Sequence, residues 1–244
     1  MPHLHASQCH RSPNQQAATD KRERIHRVSE TFDVTSPQTR TAAIDAARDA
    51  VRRGECVVLP TDTVYGIGAD AFSPQAVAVL LAAKGRGRNM PPPVLIARQE
   101  VMDALATEIP DSARALAETL WPGGLTLILR SQPSLAWDLG ETRGTVALRM
   151  PADEVALELL AAVGPMAVSS ANRTGMAAAT TAAQAQEMLA ESVSIYLEDG
   201  ERSTSAASTI VDCTREVPTV VRQGAIPLHE LQAIVPDVTA AETE

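Results

Sequence analysis

Apolar residues recur along most of the chain at one of two spacings, that of an amphipathic helix or that of a strand. Helical spacing covers residues 37–53, 74–84, 111–120, 153–163, 180–189 and about 226–235, with a further helix starting at residue 100. Short apolar runs at 56–60, 93–97, 125–129, 145–150, 165–171, 194–198, 208–212 and 219–223 predict strands. The stretch from Pro60 to Ala71 contains three hydroxyl-bearing residues and two glycines, and it is predicted to be a loop.

Capping residues mark the ends of several of these helices. Ser36 and Ser73 each precede a proline, the pattern of an N-cap followed by proline at the first helical position. Gly85 follows the helix at 74–84 and favours its termination. Strands and helices alternate without a long linker, which predicts a single three-layer α/β domain. Some strands follow one another directly, so the sheet should be mixed rather than purely parallel.

Charge divides the chain into two parts. Residues 1–27 carry a net charge of +3, which leaves −12 on the rest of a chain whose formal net charge is −9. The first part has neither helical nor strand spacing. We therefore expect residues 1–30 to be a disordered leader and residues 31–244 to form the folded domain. An acidic domain binds nucleic acid poorly, because attraction to phosphate needs a basic face.

Histidine and cysteine are too sparse to suggest a metal site or a histidine-based mechanism. Only His229 of the five histidines lies outside the first 27 residues. The three cysteines, Cys9, Cys56 and Cys213, form no CxxC pair, so neither a disulfide scaffold nor a zinc site is expected. Such a sparse count fits a reducing cytoplasm. No uninterrupted apolar run reaches the length of about 18 residues that a membrane-spanning helix needs.

The segment KGRGR places three cations, Lys84, Arg86 and Arg88, in a run of five residues inside an otherwise acidic domain. One interpretation is a helix C-cap with solvated arginines, which the helix dipole favours. The other is a polyphosphate clamp, with lysine as a point charge and arginine as a bidentate fork. The segment is not a P-loop, because its cations follow a helix instead of preceding one.

Two polar loops provide further candidate ligand contacts. Ser170 and Asn172 follow a predicted strand, and loops at strand ends are where α/β sheets bind ligands. Thr63 and Tyr65 offer hydroxyl groups to line a small polar pocket. Each loop taken alone is also explained as structure, the first as a capped turn and the second as an Asx-type loop.

Two single arginines, Arg149 and Arg222, stand at the ends of predicted strands. One such arginine is usually a surface residue. Added to the KGRGR cluster, the two favour an anion-binding concavity in an acidic domain.

Seven segments together resemble the YrdC-like family of threonylcarbamoyl-AMP synthases. In the family's order they are PTDTVYGIGADA, AAKGRGR, WPGGLTLIL, TVALRMP, SSANRTG, STIVD and VVRQGAI. The resemblance implies a twisted mixed β-sheet flanked by helices around a concave positive site, in the family's short, single-domain form. It also implies that residues 31–244 are the catalytic domain of a cytoplasmic nucleotidyltransferase.

The implied reaction joins L-threonine, bicarbonate or CO2, and ATP into L-threonylcarbamoyladenylate and pyrophosphate. The resemblance implies that a separate tRNA threonylcarbamoyl transferase complex then uses the adenylate to modify adenosine 37 of tRNA. The family's Lys-Arg-Ser-Asn signature falls on Lys84, Arg86, Ser170 and Asn172 as catalytic residues. The implied ATP contacts are Lys84, Arg86, Arg88, Thr145, Ser170 and Arg222, and the threonine contacts are Thr63, Tyr65, Arg149 and Ser208. Mg²⁺ is expected to accompany ATP, without a metal site made by the protein.

Two alternatives to this synthase remain open at this point. The chain has Met90 and Leu95 where the family has an asparagine and a histidine, and the histidine touches threonine. A nucleotide-binding paralogue with another carboxylate-bearing substrate would explain that difference. A double-stranded RNA or tRNA-binding module in ribosome maturation is the second alternative, and the charge of −12 argues against it.

Overall fold

A computed structural model describes residues 29–203 and 206–241, whose strands join into one 12-stranded sheet. The strands are β1 (Glu30–Asp33), β2 (Val57–Leu59), β3 (Gly66–Asp70), β4 (Val94–Leu95), β5 (Ala106–Thr107), β6 (Leu125–Ser131), β7 (Thr145–Arg149), β8 (Met166–Ser170), β9 (Ile195–Glu198), β10 (Thr209–Asp212), β11 (Thr219–Arg222) and β12 (Thr239–Ala240). The helices are α1 (Pro37–Arg52), α2 (Pro74–Lys84), α3 (Val101–Leu105), α4 (Asp111–Leu120), α5 (Glu154–Val163), α6 (Ala182–Leu189) and α7 (Leu228–Ile234), with a 3-10 turn at Ala190–Ser192.

The sheet runs in the order β1-β9-β2-β3-β8-β4-β7-β6-β10-β11-β12, with β5 paired to β6. Parallel pairs such as β1 with β9 and β4 with β7 are combined with antiparallel pairs such as β3 with β8 and β6 with β7. The prediction of an α/β domain with a mixed sheet flanked by helices is therefore confirmed. Across the described residues, every helix is too short or too polar to span a bilayer.

The helix ends follow the capping residues in the sequence. The Ser36 side chain accepts a hydrogen bond from the Thr39 amide, and Ser73 does the same for Ala76. Gly85 ends α2 in the left-handed region, at a φ of 64°. The two serine side chains thus satisfy amide groups that the first turn of a helix leaves unpaired.

The prediction of a loop from Pro60 to Ala71 is wrong for Gly66–Asp70, which forms strand β3. Glycine usually signals a turn, but here it makes room for neighbouring side chains in the sheet. A Cβ at Gly66 would lie 2.6 Å from Val168 Cγ1, and one at Gly68 would lie 2.8 Å from Met166 Cε. The short strands β1, β5 and β12 were also not predicted.

The predicted leader ends one residue too late, because Glu30 already pairs with Ile195 in strand β1. The parallel pairing of β1 with β9 outweighs the polar character of the sequence Glu-Thr-Phe-Asp. Residues 1–28 lie outside the described residues, and so does the prediction made for them.

We name strands β1, β9, β2 and β3 the covered half of the sheet, because helices pack on both of its faces. Helices α1 and α5 pack on one face, against Val57, Leu59 and Leu197. Helices α2 and α6 pack on the other face, against Val58, Ile67 and Tyr196. The predicted three-layer arrangement holds here.

We name strands β7, β6, β10 and β11 the open half, because the described helices that share its core cluster pack on one face. They are α3, α4 and α7, joined by Val77 and Leu81 of α2. That face carries Leu125, Leu127 and Leu129 from β6 and Val146 and Leu148 from β7. The intervening residues point to the opposite face, since successive side chains of a strand alternate. The open half thus has two layers, and its second face is free to form a site.

Candidate functional site

The free face of the open half forms the floor of a cavity of about 380 Å³. Strands β6, β7, β8 and β10 contribute to the floor, and the loops that contain Met90 and Leu139 contribute to a wall. Eight of the residues proposed from the sequence line this cavity: Thr63, Tyr65, Arg86, Thr145, Arg149, Ser170, Ser208 and Arg222. The other three proposed residues, Lys84, Arg88 and Asn172, do not line it.

Arg86 brings a guanidinium to the cavity from the loop that follows α2. Its Nη1 donates a hydrogen bond to Ser169 Oγ at 3.1 Å, whereas its buried Nε has no hydrogen-bond partner. Burial lowers the pKa of Arg86. A buried donor without an acceptor is costly, so an anionic ligand next to Arg86 would relieve that cost.

Arg222 lines the cavity from strand β11 and is held by Ser208. Its Nε and Nη2 donate to the Ser208 carbonyl oxygen at 3.1 and 2.8 Å, and Nη2 also donates to Ser208 Oγ at 3.0 Å. The Ser208 hydroxyl is 2.8 Å from the buried hydroxyl of Thr126. Burial, followed by the charges of Arg149 and Arg86, lowers the pKa of Arg222. Arg86 and Arg149 therefore both lie within electrostatic reach of Arg222.

A β-bulge turns Arg222 toward the cavity. Val220 pairs with Val211, and both belong to the helix-covered core. The next pair joins Arg222 to Ile210, so Val221 is an extra residue without a partner across the ladder. Ile210 lines the cavity, and Arg222 opposite it faces the same way. Bulges near functional sites re-aim side chains in this manner.

Arg149 is 7% exposed and is fixed by three partners. Its Nη2 forms an ion pair with Asp62 Oδ1 at 2.7 Å, its Nη1 donates to Thr63 Oγ1 at 3.0 Å, and its Nε donates to the Gly123 carbonyl at 2.9 Å. Burial lowers the pKa of Arg149, while Asp62 raises it. Since a guanidinium has five N–H donors, two of them remain for a ligand in the cavity.

Lys84 is 1% exposed and uses its ammonium group to hold the end of strand β8. Its Nζ donates to the carbonyl oxygens of Ser170 and Asn172, the latter at 2.7 Å, and lies 3.3 Å from Asn172 Oδ1. Burial, followed by the charge of Arg86, lowers the pKa of Lys84 to about 7. Lys84 is therefore placed to support Ser170, and it does not itself border the cavity.

Asn172 has a similar supporting position. Its Nδ2 donates to the carbonyl oxygens of Arg173 and Met176 at 2.9 and 2.8 Å. These bonds close the turn that follows Ser170, and Asn172 Oδ1 accepts from Lys84. The signature proposed from the sequence thus divides into two cavity residues, Arg86 and Ser170, and two residues that support them.

The polar ends of two side chains predicted to meet ligands bind other protein groups. Tyr65 borders the cavity, but its hydroxyl donates to the Gly200 carbonyl at 2.8 Å and accepts from the Asp199 amide at 2.9 Å, and neither partner lines the cavity. Its ring belongs to a core cluster of the covered half, because burial of a large ring favours that position. Arg88 is exposed and donates to both carboxylate oxygens of Asp138, at 3.1 and 2.8 Å.

The charge of the cavity suits anionic ligands. Among the described residues, its lining contains three arginines and no aspartate, glutamate or histidine. Asp62 balances Arg149, but Arg86 and Arg222 have no carboxylate partner among the described residues. An otherwise acidic chain thus keeps two uncompensated cations in one concave site, which attracts polyanions.

Several residues that shape this site are not among the candidates proposed from the sequence. Ser169 accepts from Arg86, Asp62 pairs with Arg149, and Thr126 positions Ser208. The signal for Thr126 is the alternation in LTLIL, where the leucines face the core and the intervening residues face the cavity. The pairing of Asp62 with Arg149 joins residues 87 positions apart, so local spacing does not reveal it.

The sequence of this chain is similar to that of a known protein family and of named proteins. The chain matches the Sua5, YciO and YrdC family model, which carries the description "Telomere recombination", over residues 49–224. A protein from Mycobacterium tuberculosis (strain CDC 1551), provisionally named a threonylcarbamoyl-AMP synthase, is 48% identical over 208 residues, which are 85% of this chain and 96% of that protein. The threonylcarbamoyl-AMP synthase of Pyrococcus abyssi is 36% identical over 80% of this chain and 58% of that protein.

Solved structures agree with these matches. The crystal structure of P. abyssi Sua5 complexed with L-threonine has a TM-score of 0.83 and 34% identity, and it covers 87% of this chain and 62% of that chain. The structure of E. coli YciO has a TM-score of 0.73 at 23% identity over 82% of this chain and 98% of that chain, which shows a shared fold.

Proposed function

The chain belongs to the Sua5, YciO and YrdC family, and on that premise we propose that it is a threonylcarbamoyl-AMP synthase. Its proposed substrates are L-threonine, bicarbonate or CO2, and ATP, which makes it a nucleotidyltransferase. The proposed products are L-threonylcarbamoyladenylate and pyrophosphate, with the adenylate passed to a tRNA threonylcarbamoyl transferase complex for modification of adenosine 37. We assign this activity to the domain that begins with strand β1 at Glu30, in a protein that we expect to be cytoplasmic.

The chemistry proceeds in two bond-forming steps. The neutral amine of threonine attacks CO2, a C–N bond forms and the amine loses a proton, which leaves a carbamate. A carbamate oxygen then attacks the α-phosphorus of ATP, and the bond to pyrophosphate breaks. Neither step needs a covalent enzyme intermediate. The protein has to hold two anions together and neutralise the charge that develops on the leaving group.

The cavity offers residues for each of these tasks. We assign the phosphates to Arg86 and Arg222, the two guanidiniums without a carboxylate partner. Arg149 is assigned to the threonine carboxylate, with Thr63 beside it at 3.0 Å. Three nearby cations also lower the pKa of a bound amine, since a like charge disfavours the ammonium form. The cavity thereby favours the neutral amine that attacks CO2.

Ser170, Thr145 and Ser208 complete the proposed ligand contacts. Ser170 lines the cavity while its carbonyl accepts from Lys84, so the backbone that carries its hydroxyl is fixed. Thr145 also lines the cavity, and its hydroxyl donates to the Thr142 carbonyl at 2.7 Å. We assign Ser170 and Thr145 to ATP and Ser208 to the threonine side of the site. Lys84 and Asn172 act through Ser170.

Mg²⁺ has no carboxylate cage in the described part of the chain. No group of three or more His, Cys, Asp or Glu residues lies close enough there to hold a metal ion. Mg²⁺ prefers oxygen ligands such as carboxylates and phosphates, and the cavity lining contributes arginines instead. These residues do not fit a protein-bound Mg²⁺ site, and we assign no step to the metal.

The observation that carries this proposal is the convergence of Arg86, Arg149 and Arg222 on one cavity in a chain of net charge −9. The RNA-binding alternative has no comparable support, because residues 28–244 carry a net charge of −12, which repels phosphate. The paralogue alternative shares the same cavity and differs only in the amine that it accepts.

The decisive experiment is mass spectrometry of the product. The full chain is incubated with ATP, bicarbonate and L-threonine, and parallel reactions replace threonine by other amino acids. We expect the mass of threonylcarbamoyl-AMP with one pyrophosphate per adenylate, and the fastest turnover with threonine. Absence of the adduct would refute the synthase, and faster turnover with another amino acid would favour the paralogue.

A further inference from the structure

The loop that carries Arg86 is hydrogen-bonded to a neighbouring loop of the cavity wall, at residues 138–141. The Arg88 guanidinium is bidentate on Asp138, and the Arg88 carbonyl oxygen accepts a hydrogen bond from the Glu141 amide at 2.7 Å. Side chain and backbone of one residue thus engage the same neighbouring loop. We name Arg88, Asp138 and Gly140 the clasp.

Gly140 makes this approach sterically feasible. It has a φ of 106°, and a Cβ on it would lie 2.6 Å from the Arg88 carbonyl oxygen. Any residue with a side chain at position 140 would clash with the Arg88 carbonyl and would be strained at this positive φ, so the position requires glycine. Asp138 Oδ1 also accepts from the Gly140 amide at 3.1 Å, so the carboxylate is oriented before it meets Arg88.

The second loop is itself anchored to the body of the protein. Leu139 is 2% exposed and belongs to the core under the open half. Trp137 stacks on Phe72 with ring centroids 5.5 Å apart. The loop is therefore a fixed support, and Arg88 transmits its position to the segment that carries Arg86, two residues away.

We propose that the clasp is a positioning device for Arg86, and that Arg88 acts through it instead of contacting ATP. The inference rests on the proposed function, because it assigns Arg86 to the phosphates. It replaces the sequence-based expectation that Arg88 binds ATP. The geometry favours the clasp because Arg88 lies outside the cavity lining and both of its Nη atoms are engaged by Asp138.

The test compares Arg88→Gln, Asp138→Asn and the charge-swapped double variant Arg88→Asp/Asp138→Arg. We expect each single variant to raise the KM for ATP by a similar factor, about two- to fivefold for an exposed ion pair. The KM for threonine and the melting temperature should change little. The swapped variant should recover part of the loss, because it restores the ion pair while arginine at position 138 cannot accept from the Gly140 amide. If Arg88 touches ATP, Arg88→Gln costs far more than Asp138→Asn, the swap does not rescue, and the proposal is overturned.

A glycine pair tests the backbone contact separately. Gly140→Ala places a methyl group against the Arg88 carbonyl, whereas Gly144→Ala, also at positive φ (78°), meets nothing within 4 Å. We expect Gly140→Ala to raise the KM for ATP at least tenfold more than Gly144→Ala does. Equal effects would mean that backbone strain alone is responsible, and would overturn the role of Gly140. Arg114→Gln, which breaks an exposed ion pair with Asp103, is the matched control and should change nothing.

Hydrogen exchange separates this inference from the proposed function. Residues 85–93 should exchange faster in Arg88→Gln and Asp138→Asn than in the unsubstituted chain, whether or not the protein makes threonylcarbamoyl-AMP. Unchanged exchange in both variants would refute the clasp even in an active synthase. Faster exchange in a protein that forms no adduct would refute the synthase and retain the clasp.

Discussion

The covered and open halves of the sheet use the same backbone ladder for different purposes. In the covered half, β2 places Val57, Val58 and Leu59 at 0% exposure, with helices on both faces. In the open half, β6 alternates core leucines with Thr126 and Ile128, which line the cavity. Leaving one helix layer off a strand face thus supplies a floor for a ligand site, at the cost of the apolar burial that a helix would add.

The two halves also differ in how their side chains are held. Packing fixes residues in the covered half, whereas hydrogen bonds and ion pairs fix the arginines of the open half. Substitutions in the core of the covered half should therefore change stability, and those of residues that line the cavity over the open half should change chemistry. The following predictions test that division, starting with the largest effect.

Arg86→Gln should lower the rate of pyrophosphate release by about 10²–10³-fold, because it removes a charged contact to the transition state. The melting temperature should change little, since within residues 29–203 and 206–241 the side chain of Arg86 has only the Ser169 hydroxyl as partner. Steady-state kinetics and thermal unfolding measure the two effects. Near-normal turnover would contradict the division, and Arg114→Gln serves as the neutral comparison.

Leu159→Ala should lower the free energy of unfolding by about 2–5 kcal/mol, because it leaves a cavity between α5 and the sheet. Leu159 is 0% exposed in the covered half. Denaturant unfolding measures the loss, and kcat and KM of the folded fraction should stay unchanged. Leu157→Ala on the same helix is half-buried and should cost less. A changed KM for ATP in Leu159→Ala would show that the halves are coupled.

Lys84 should make stability depend on pH. Its pKa is about 7 in the folded chain against an ordinary 10.5 in the unfolded chain, so above pH 7 only the unfolded state keeps the proton. Stability attributable to Lys84 therefore rises as pH increases from 7 toward 10.5. Between pH 7 and 8.5 the gain is at most about 2 kcal/mol. Lys84→Met should remove this rise.

The pH window for that experiment has an upper limit set by the buried thiols. Burial raises the pKa of Cys56 and of Cys213 to about 12. Above pH of roughly 8.5 the unfolded thiols ionise while the folded ones do not, which lowers stability. Urea unfolding at pH 7.0, 7.5 and 8.0 keeps most of the unfolded thiols protonated. An identical slope in Lys84→Met and the unsubstituted chain would exclude Lys84 as the source.

Thr126→Val should have the smallest effect. It removes the 2.8 Å contact with the Ser208 hydroxyl at a cost of about 1 kcal/mol in stability. The KM for ATP should rise a few-fold, because Ser208 holds Arg222. Thr119→Val, whose hydroxyl binds a carbonyl on the exposed side of α4, controls for loss of a hydroxyl. An unchanged KM would show that the Ser208 backbone alone positions Arg222.

Most of the elements could be predicted from the sequence, because capping residues and apolar periodicity are local signals. Helix α2 matches its predicted range because Ser73, Pro74 and Gly85 mark both ends. Strand β3 was missed because its glycines serve packing against β2 and β8 instead of a turn. Edge strands β1 and β12 depend on long-range pairing, which no local pattern encodes.

The candidate site was harder to predict than the fold. The types of side chain pointed to an anion site, but their orientations depend on tertiary packing. Tyr65 and Arg88 stand in segments that border the cavity, yet the Tyr65 hydroxyl bonds to Asp199 and Gly200 and the Arg88 side chain bonds to Asp138. Motif spacing thus predicted which segments border the cavity. The direction of each side chain depends on hydrogen-bond partners that lie far away in the sequence.

The extra residue at Val221 has a consequence for how related chains are compared. Deleting Val221 would restore a regular ladder, in which Arg222 follows Val220 directly and still faces the cavity opposite Ile210. Strict alternation along Val220, Val221 and Arg222 would instead assign Arg222 to the helix-packed face. A relative with one residue fewer between Thr219 and its arginine therefore keeps the guanidinium in its cavity, and an alignment gap at this point is no sign of lost competence.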